Sequence, residues 1–452
     1  MLYAHIIVLA ALALLYLIIN ADIPGTWKFG LGVIEMFFVG NMLIKKFSLS
    51  GEYGMIMLKT KKGLKLIDEL AKNDKFWQFF ADSGVVMCYG LLSYFIMKKH
   101  FYLKSAIVGF LGLLIVSAFV SPLAVPFLAQ NITGIVPVKT TEGASSASTA
   151  LNISFYLSLG ILLFGGFFLV ILLGLLYYGV TVLWAVVSSL AFGSTAIAET
   201  KPGATLLLPG INLPFIEGIA ALIIILLVHE GAHAILGRIA KVPVLSSGIV
   251  LFGIIPVGAF IEPDEEYLKR VEKTKQTRVL AAGSSSNLFF SIIIFVIFLG
   301  FLFATISYRE SGLLVISGLE KDTVIYTING QDATNYEDIP IAKNSNVVLE
   351  TNKGQMVIKT NAEGKMGIQF YVLDKTMLLA RFKMFPLNFI YIILGLAFSL
   401  NFVIGTINLL PLPFFDGYRI LELNIKRKWI VSGLMYATIA GFLLNILPHF
   451  FV

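Results

Sequence analysis

Charge is what this 452-residue chain has least of: Asp, Glu, Lys and Arg make up 13% of it, against 57% hydrophobic residues. A soluble chain of this length has no use for so much apolar surface, so the composition excludes a soluble protein and implies a polytopic helical membrane protein. Cysteine is nearly absent. The single Cys88 excludes an intrachain disulfide and matches no cysteine zinc pattern, which leaves it as a packing residue. Early basic residues are missing too. No Lys or Arg precedes Lys28, and no small-residue cleavage site follows the apolar residues 1–19, so that segment reads as a retained transmembrane helix and not a signal peptide. The basic excess is modest, 34 against 27 acidic residues for a net +7, which suits positive cytoplasmic loops and argues against a nucleic-acid partner.

Histidine is scarce, with five in the chain, yet two of them form the pattern His229-Glu230-Gly231-Ala232-His233 inside an apolar run from Leu213 to Ile239. Four residues apart on a helix, both imidazoles lie on one face and suit one zinc ion at about 2.0–2.1 Å. Glu230, beside the first of them, is placed to take a proton from a metal-activated water. A glutamate at membrane depth is costly and calls for such a use.

A hydrolytic zinc needs a third protein ligand and an open position. The candidate is Asp416, in Asn408-Leu409-Leu410-Pro411-Leu412-Pro413-Phe414-Phe415-Asp416-Gly417, where two prolines break a second apolar run. Irregular backbone at membrane depth is tolerated where it is buried in protein or lines a watery cavity. The other reading is a helix end with Asp416 at the water interface.

With these motifs the chain resembles the site-2 protease family of intramembrane zinc metalloproteases, which carries H-E-x-x-H on one core helix and N-x-x-P-x-P-x-x-D-G on another. Two intermediate segments are similar as well: Ile255-Pro256-Val257-Gly258-Ala259-Phe260 resembles the family's P-x-G-A-F β-segment, and Gly283-Ser284-Ser285-Ser286-Asn287 its G-x-x-x-N. The resemblance covers roughly residues 210–450. It departs from the common family pattern at Gly231-Ala232, Leu409 and Phe415, which bears on subfamily and substrate and touches neither base nor ligand. What the resemblance implies is a site-2-protease-like transmembrane core, one catalytic Zn2+ held by His229, His233 and Asp416, and Glu230 as base. The implied substrate is a membrane-anchored protein cut within its transmembrane segment. Asn287 and Asn408 are candidates for oxyanion stabilisation or for binding the substrate backbone, and Gly258 for substrate binding. A buried amide in an apolar helix needs a partner, so bonding between helices is the other use of the two asparagines.

The rest of the chain reads as follows. Residues 1–200 form an N-terminal transmembrane region that no trusted resemblance covers. It includes a basic, cytoplasmic loop at 45–83, read chiefly as a connector meeting lipid headgroups, with a small hairpin after Gly51-Glu52-Tyr53-Gly54 as the other reading. Residues 129–150, rich in Ser, Thr, Gly and Ala, read as a flexible extracytoplasmic loop. The apolar stretch 151–192 is about twice the ~20 residues a span requires, with Gly165-Gly166 or Gly174 as the place for a turn. Residues 205–306 hold the first part of the protease core, with a hairpin or re-entrant strand at 242–260, and 384–452 hold the second part. Between them, 309–378 reads as short strands and turns. Gly318 to Gly330 resembles a segment of a PDZ domain, which implies a peptide as that domain's ligand. Arg238, Lys241 and Lys426-Arg427-Lys428 put the zinc motifs toward the cytoplasmic side and the β-rich domain outside. Two other classes stay open from the residues alone: a metal or proton transporter, which would show a duplicated pair of broken helices, and an inactive protease-like scaffold.

Overall fold

The computed structural model describes residues 2–131 (except 24, 61 and 62), 148–320 (except 206, 208 and 210–212), 323–373, 381, 382 and 384–450. Most of the loop expected at 129–150 lies outside the described residues, as do Lys321 and Asp322 of the PDZ-like segment.

Apolar length builds the helices. In chain order come α1 (Leu2–Asn20), α2 (Gly25–Phe47), β1 (Ser50–Glu52), β2 (Met55–Thr60), α3 (Leu64–Leu70) and α4 (Asp74–Tyr89). The Asn73 side chain caps α4 by accepting from the Phe76 N–H. A 3-10 turn carries α4 into α5 (Ser93–Met97), and a π turn carries α6 (Leu103–Ile115) into α7 (Ser121–Asn131). Then follow α8 (Ser148–Phe192), α9 (Ala196–Glu199), α10 (Phe215–Ile239), β3 (Val244–Phe252), β4 (Ile255–Pro263), α11 (Glu265–Leu268) and α12 (Lys273–Ala304). Strands β5 (Gly312–Ser317), β6 (Val324–Ile328), β7 (Gln331–Asp332), β8 (Asn346–Thr351), β9 (Gly354–Lys359) and β10 (Gln369–Leu373) precede α13 (Phe385–Ile407), α14 (Asp416–Asn424) and α15 (Lys428–Ile446). Among the described residues, seven helical segments are long and apolar enough to cross a membrane, and the chain is a multi-pass integral membrane protein. Of the seven, the segments carrying α4 and α13 have the largest buried share.

The chain divides into two compact units, Met1–Ile294 with Gly395–Val452, and Phe295–Leu394. In the first unit a four-stranded antiparallel sheet runs in the order β1-β2-β3-β4. Here the structure corrects the reading of residues 45–83 as a connector: the hairpin forms, and Met55–Thr60 pairs with Ser247–Phe252 of β3. Burial and an ion pair favour it. Ile56 is buried (1% exposed) on one face of β2, while Lys59 reaches across to Glu262 of β4 at 2.9 Å.

The second unit holds the β-rich domain, a sheet ordered β10-β5-β6-β8-β9 with β7 beside β6. Its core is built from Leu313, Val315, Ile325, Ile328, Val347 and Leu349, with the two-residue alternation kept on β5 and β8 and broken on β6 by an irregularity between Ile325 and Thr327. Where the domain begins and ends, Arg309 pairs with Phe382, the Glu310 N–H donates to the Arg381 carbonyl at 2.8 Å, and Tyr326 donates to the Glu310 carboxylate at 3.0 Å. Burial, with the Glu310 charge beside it, pushes the Tyr326 phenol up to about 12.

The stretch 151–192 is one helical segment broken at Gly166, where φ is 60°. A Cβ there would sit 2.4 Å from the Cys88 carbonyl oxygen, so only glycine lets α8 close onto α4. Gly166→Ala is therefore expected to cost about 1–3 kcal/mol, read as a lower midpoint of thermal unfolding in detergent. Gly174→Ala, with no atom within 4 Å of its Cβ, leaves the midpoint unchanged.

Candidate metal centre

The two histidines of α10 and the first residue of α14 converge on one point. His229 Nε2 and His233 Nε2 lie 3.3 Å apart, and Asp416 Oδ2 lies 3.4 Å from each. All three side chains are largely buried, with exposures of 10%, 15% and 13%. Asp416 Oδ2 is buried and has no hydrogen-bond donor. Three electron-pair donors facing one another in an apolar bundle repel unless a cation lies among them. The distances fit one: a tetrahedron with bonds of about 2.0–2.1 Å has edges of about 3.3–3.4 Å. Among the described residues this trio is the group able to hold a metal ion, and a tetrahedral ion on it keeps one position open.

Asp416 reaches the trio because the chain between α13 and α14 folds back on itself. The Gly417 N–H donates to the Asn408 carbonyl at 2.8 Å, across the two prolines. A Cβ at Gly417 would overlap the Leu409 carbonyl oxygen, at 1.9 Å, so the residue after Asp416 has to be glycine. The part Asn408 plays in this geometry is through its backbone, as the acceptor that closes the loop.

Helix α12 supplies what lies behind the histidines. Val279, Gly283 and Asn287 are spaced by four and form one stripe facing α10. The Val279 carbonyl accepts from His233 Nδ1 at 2.7 Å. Asn287, fully buried, places its side-chain amide 3.1 Å from His229 Nδ1. Its Oδ1 is buried without a hydrogen-bond partner in this orientation of the amide. Turning the amide presents that oxygen to the His229 Nδ1–H and leaves Nε2 free for a metal. Both imidazoles are then held as Nδ1–H tautomers with Nε2 directed inward. Asn287, read from the sequence as an oxyanion or substrate group, thus has its amide engaged by a histidine, the inter-helix use weighed beside it.

Between these two positions Gly283 leaves room. A Cβ on it would lie 2.4 Å from His229 Nε2 and 2.5 Å from His233 Nε2, inside the trio.

Glu230 points toward the sheet. Its Oε2 accepts from the backbone N–H of Ile261 in β4 at 3.1 Å. That strand is pinned at the next residue, where the Glu262 carboxylate accepts from Ser246 Oγ of β3 at 2.5 Å and from Lys59 of β2 at 2.9 Å. These two bonds, Ser246 first, hold the Glu262 carboxyl below its usual range. Gly258 lies in β4 opposite Val250, beside a bulge, and the structure gives it no bond to the trio.

Sequence reasoning missed the backbone partners, Ile261 N–H and Val279 C=O, since any residue type supplies them. It also missed the contribution of β2.

The metal site gives a sharp expectation. Gly283→Ala drives a methyl group between the imidazoles and weakens Zn2+ binding at least 10-fold, and Asn287→Ala weakens it about 10–100-fold. Chelator competition on the purified chain measures both. Native affinity in Gly283→Ala would remove the trio as the binding site.

A model of peptidase family M50 matches residues 217–445, just over half of the chain. An uncharacterised protein of Methanocaldococcus jannaschii is 32% identical over 238 residues, which are 48% of this chain and 60% of that protein. The chain thus spans less than two thirds of that relative's length. No solved structure matches it.

Proposed function

The chain belongs to peptidase family M50, and from that premise we propose that it is a zinc metalloendopeptidase hydrolysing peptide bonds within transmembrane segments of membrane-anchored proteins. The observation that carries the reading is the trio of His229, His233 and Asp416 at 3.3–3.4 Å, buried in an apolar bundle next to Glu230.

A zinc ion bound there supplies a Lewis acid for the scissile carbonyl and lowers the pKa of a water. Glu230 accepts the proton of the attacking water and returns it to the leaving amine. The Ile261 N–H holds one carboxylate oxygen of Glu230, leaving the other for that transfer. Asn287 and the Val279 carbonyl keep both imidazoles in the ligating tautomer.

A substrate helix hides its amides and must unwind to be cut. Among the described residues strand β4 pairs with β3 alone, so an unwound segment can add to its other side beside Glu230. Lysines and arginines at the ends of α10 and α15 support a zinc site toward the cytoplasm. The β-rich domain serves as a filter or docking module that takes a peptide from the substrate's extracytoplasmic part, in keeping with regulated intramembrane proteolysis.

The first test measures zinc content and cleavage of a transmembrane substrate in detergent for the wild type, Glu230→Gln and Asp416→Asn. One zinc per chain is expected, with Glu230→Gln retaining it and losing cleavage by about 10²–10⁴-fold. Asp416→Asn loses metal. Bound zinc with no cleavage, together with metal flux in proteoliposomes, would favour transport, and a chain without zinc would sink the reading. Deleting residues 312–372 tests the filter: cleavage of full-length substrate rises relative to a trimmed one. Equal rates before and after deletion would refute it.

A further inference from the structure

Helix α12 has a second working face. Arg278, Ser285 and Phe289 meet α4, a helix that lies outside the stretch the M50 model matches. Arg278 donates from Nε to Asp82 Oδ1 at 2.6 Å and from Nη2 to Asp82 Oδ2 at 2.8 Å, a two-pronged pair with side-chain exposures of 9% and 5%. Gln78 accepts a third, longer bond from Nη1 at 3.4 Å. Two turns along α12 from Arg278, Ser285 meets α4: Gly84 lets it approach so closely that a Cβ would stand 2.3 Å from its side chain, and Cys88 Sγ lies 3.8 Å from Ser285 Oγ. Phe80 and Phe289 rings pack at 4.8 Å.

A charge pair buried in a membrane bundle is costly, and an apolar pair packs there without that cost. What distinguishes this pair is its address. Arg278 directly precedes Val279, whose carbonyl holds His233 Nδ1, and lies five residues before Gly283 between the imidazoles. The fork of Arg278 on one carboxylate fixes the height and rotation of α12 more closely than apolar packing does. A slide of α12 by a fraction of a turn takes the Val279 carbonyl off His233 and moves the Gly283 backbone toward the imidazoles.

We propose that Asp82 and Arg278 are positioning residues of the metal centre: the pair sets the register of α12 and thereby the orientation of His233. The proposal rests on the zinc reading above. It makes α4, from the N-terminal region, a part of the catalytic core.

The test uses the full chain in detergent, with Zn2+ affinity from chelator competition and the visible absorption spectrum of the Co2+-loaded protein as readouts. Asp82→Asn and the charge-preserving Arg278→Lys are expected to bind Zn2+ about 10–100-fold more weakly, with an altered Co2+ spectrum. The exchanged pair, Asp82→Arg with Arg278→Asp, recovers affinity relative to Asp82→Asn. Folded single variants with native affinity and the native Co2+ spectrum would overturn the assignment while leaving the zinc reading intact. Failure of every variant to fold, Arg278→Lys included, would make the pair a folding element and overturn it too. A wild-type chain that binds no metal would overturn the zinc reading and this assignment with it.

Discussion

Everything in the centre of this molecule depends on holding two imidazole nitrogens and one carboxylate oxygen within 3.3–3.4 Å of one another in an apolar bundle. Left alone, that arrangement is unfavourable, because lone pairs face lone pairs and water is scarce. It persists because each donor is fixed from behind by a different element. The two histidines are set by helical spacing on α10 and by bonds to α12, and Asp416 by a loop closed through Gly417 and Asn408. The convergence of three separately anchored atoms at tetrahedral-edge distances is the physical content of the metal reading.

The same logic applies to Glu230. Its carboxylate is held by one backbone N–H of β4. That strand keeps its place through a cross-strand bond and an ion pair, which join β2 and β3 to it at Glu262. The sheet is thus a support for the Glu230 carboxylate. That support needs the strand in this register, and a slip by one residue would turn the Ile261 N–H away from Glu230.

How much of this the sequence discloses depends on how local the chemistry is. His229, Glu230 and His233 are legible because one helical turn brings them together, and Asp416 because two prolines in an apolar run need a reason. Among the described residues the seven candidate spans lie in runs the sequence marks as apolar, but residues 1–19, read from the sequence as a further span, hold only the shorter apolar helix His5–Asn20. The pairing of Met55–Thr60 with β3 is not legible in the same way, since its partner lies about 190 residues away and its lysines suggest lipid headgroups instead. The role of Asn287 is half legible: a buried amide in a helix must bond to something, but only the packing of α12 on α10 shows that its partner is a histidine. The break in α8 falls at Gly166 and not at Gly174 because Cys88 and Tyr89 press on the former alone.

In lipid, apolar side chains gain little by leaving the solvent for each other, so helix association rests on close approach and on hydrogen bonds. The run Gly283-Ser284-Ser285-Ser286 supplies both. Gly283 clears the space between the imidazoles, and Ser285 seats against Gly84 of α4. Ser286 donates to the Val228 carbonyl of α10 at 3.2 Å, and Gly405 of α13 fits against the Ser284 carbonyl and Asn287. Four successive small residues therefore let one helix touch three neighbours at backbone distance. Larger residues would separate the helices by an ångström or more, which the bundle could survive as a membrane protein. The trio could not, because a tetrahedral edge tolerates far less. The precision of the centre is inherited from the smallest side chains around it.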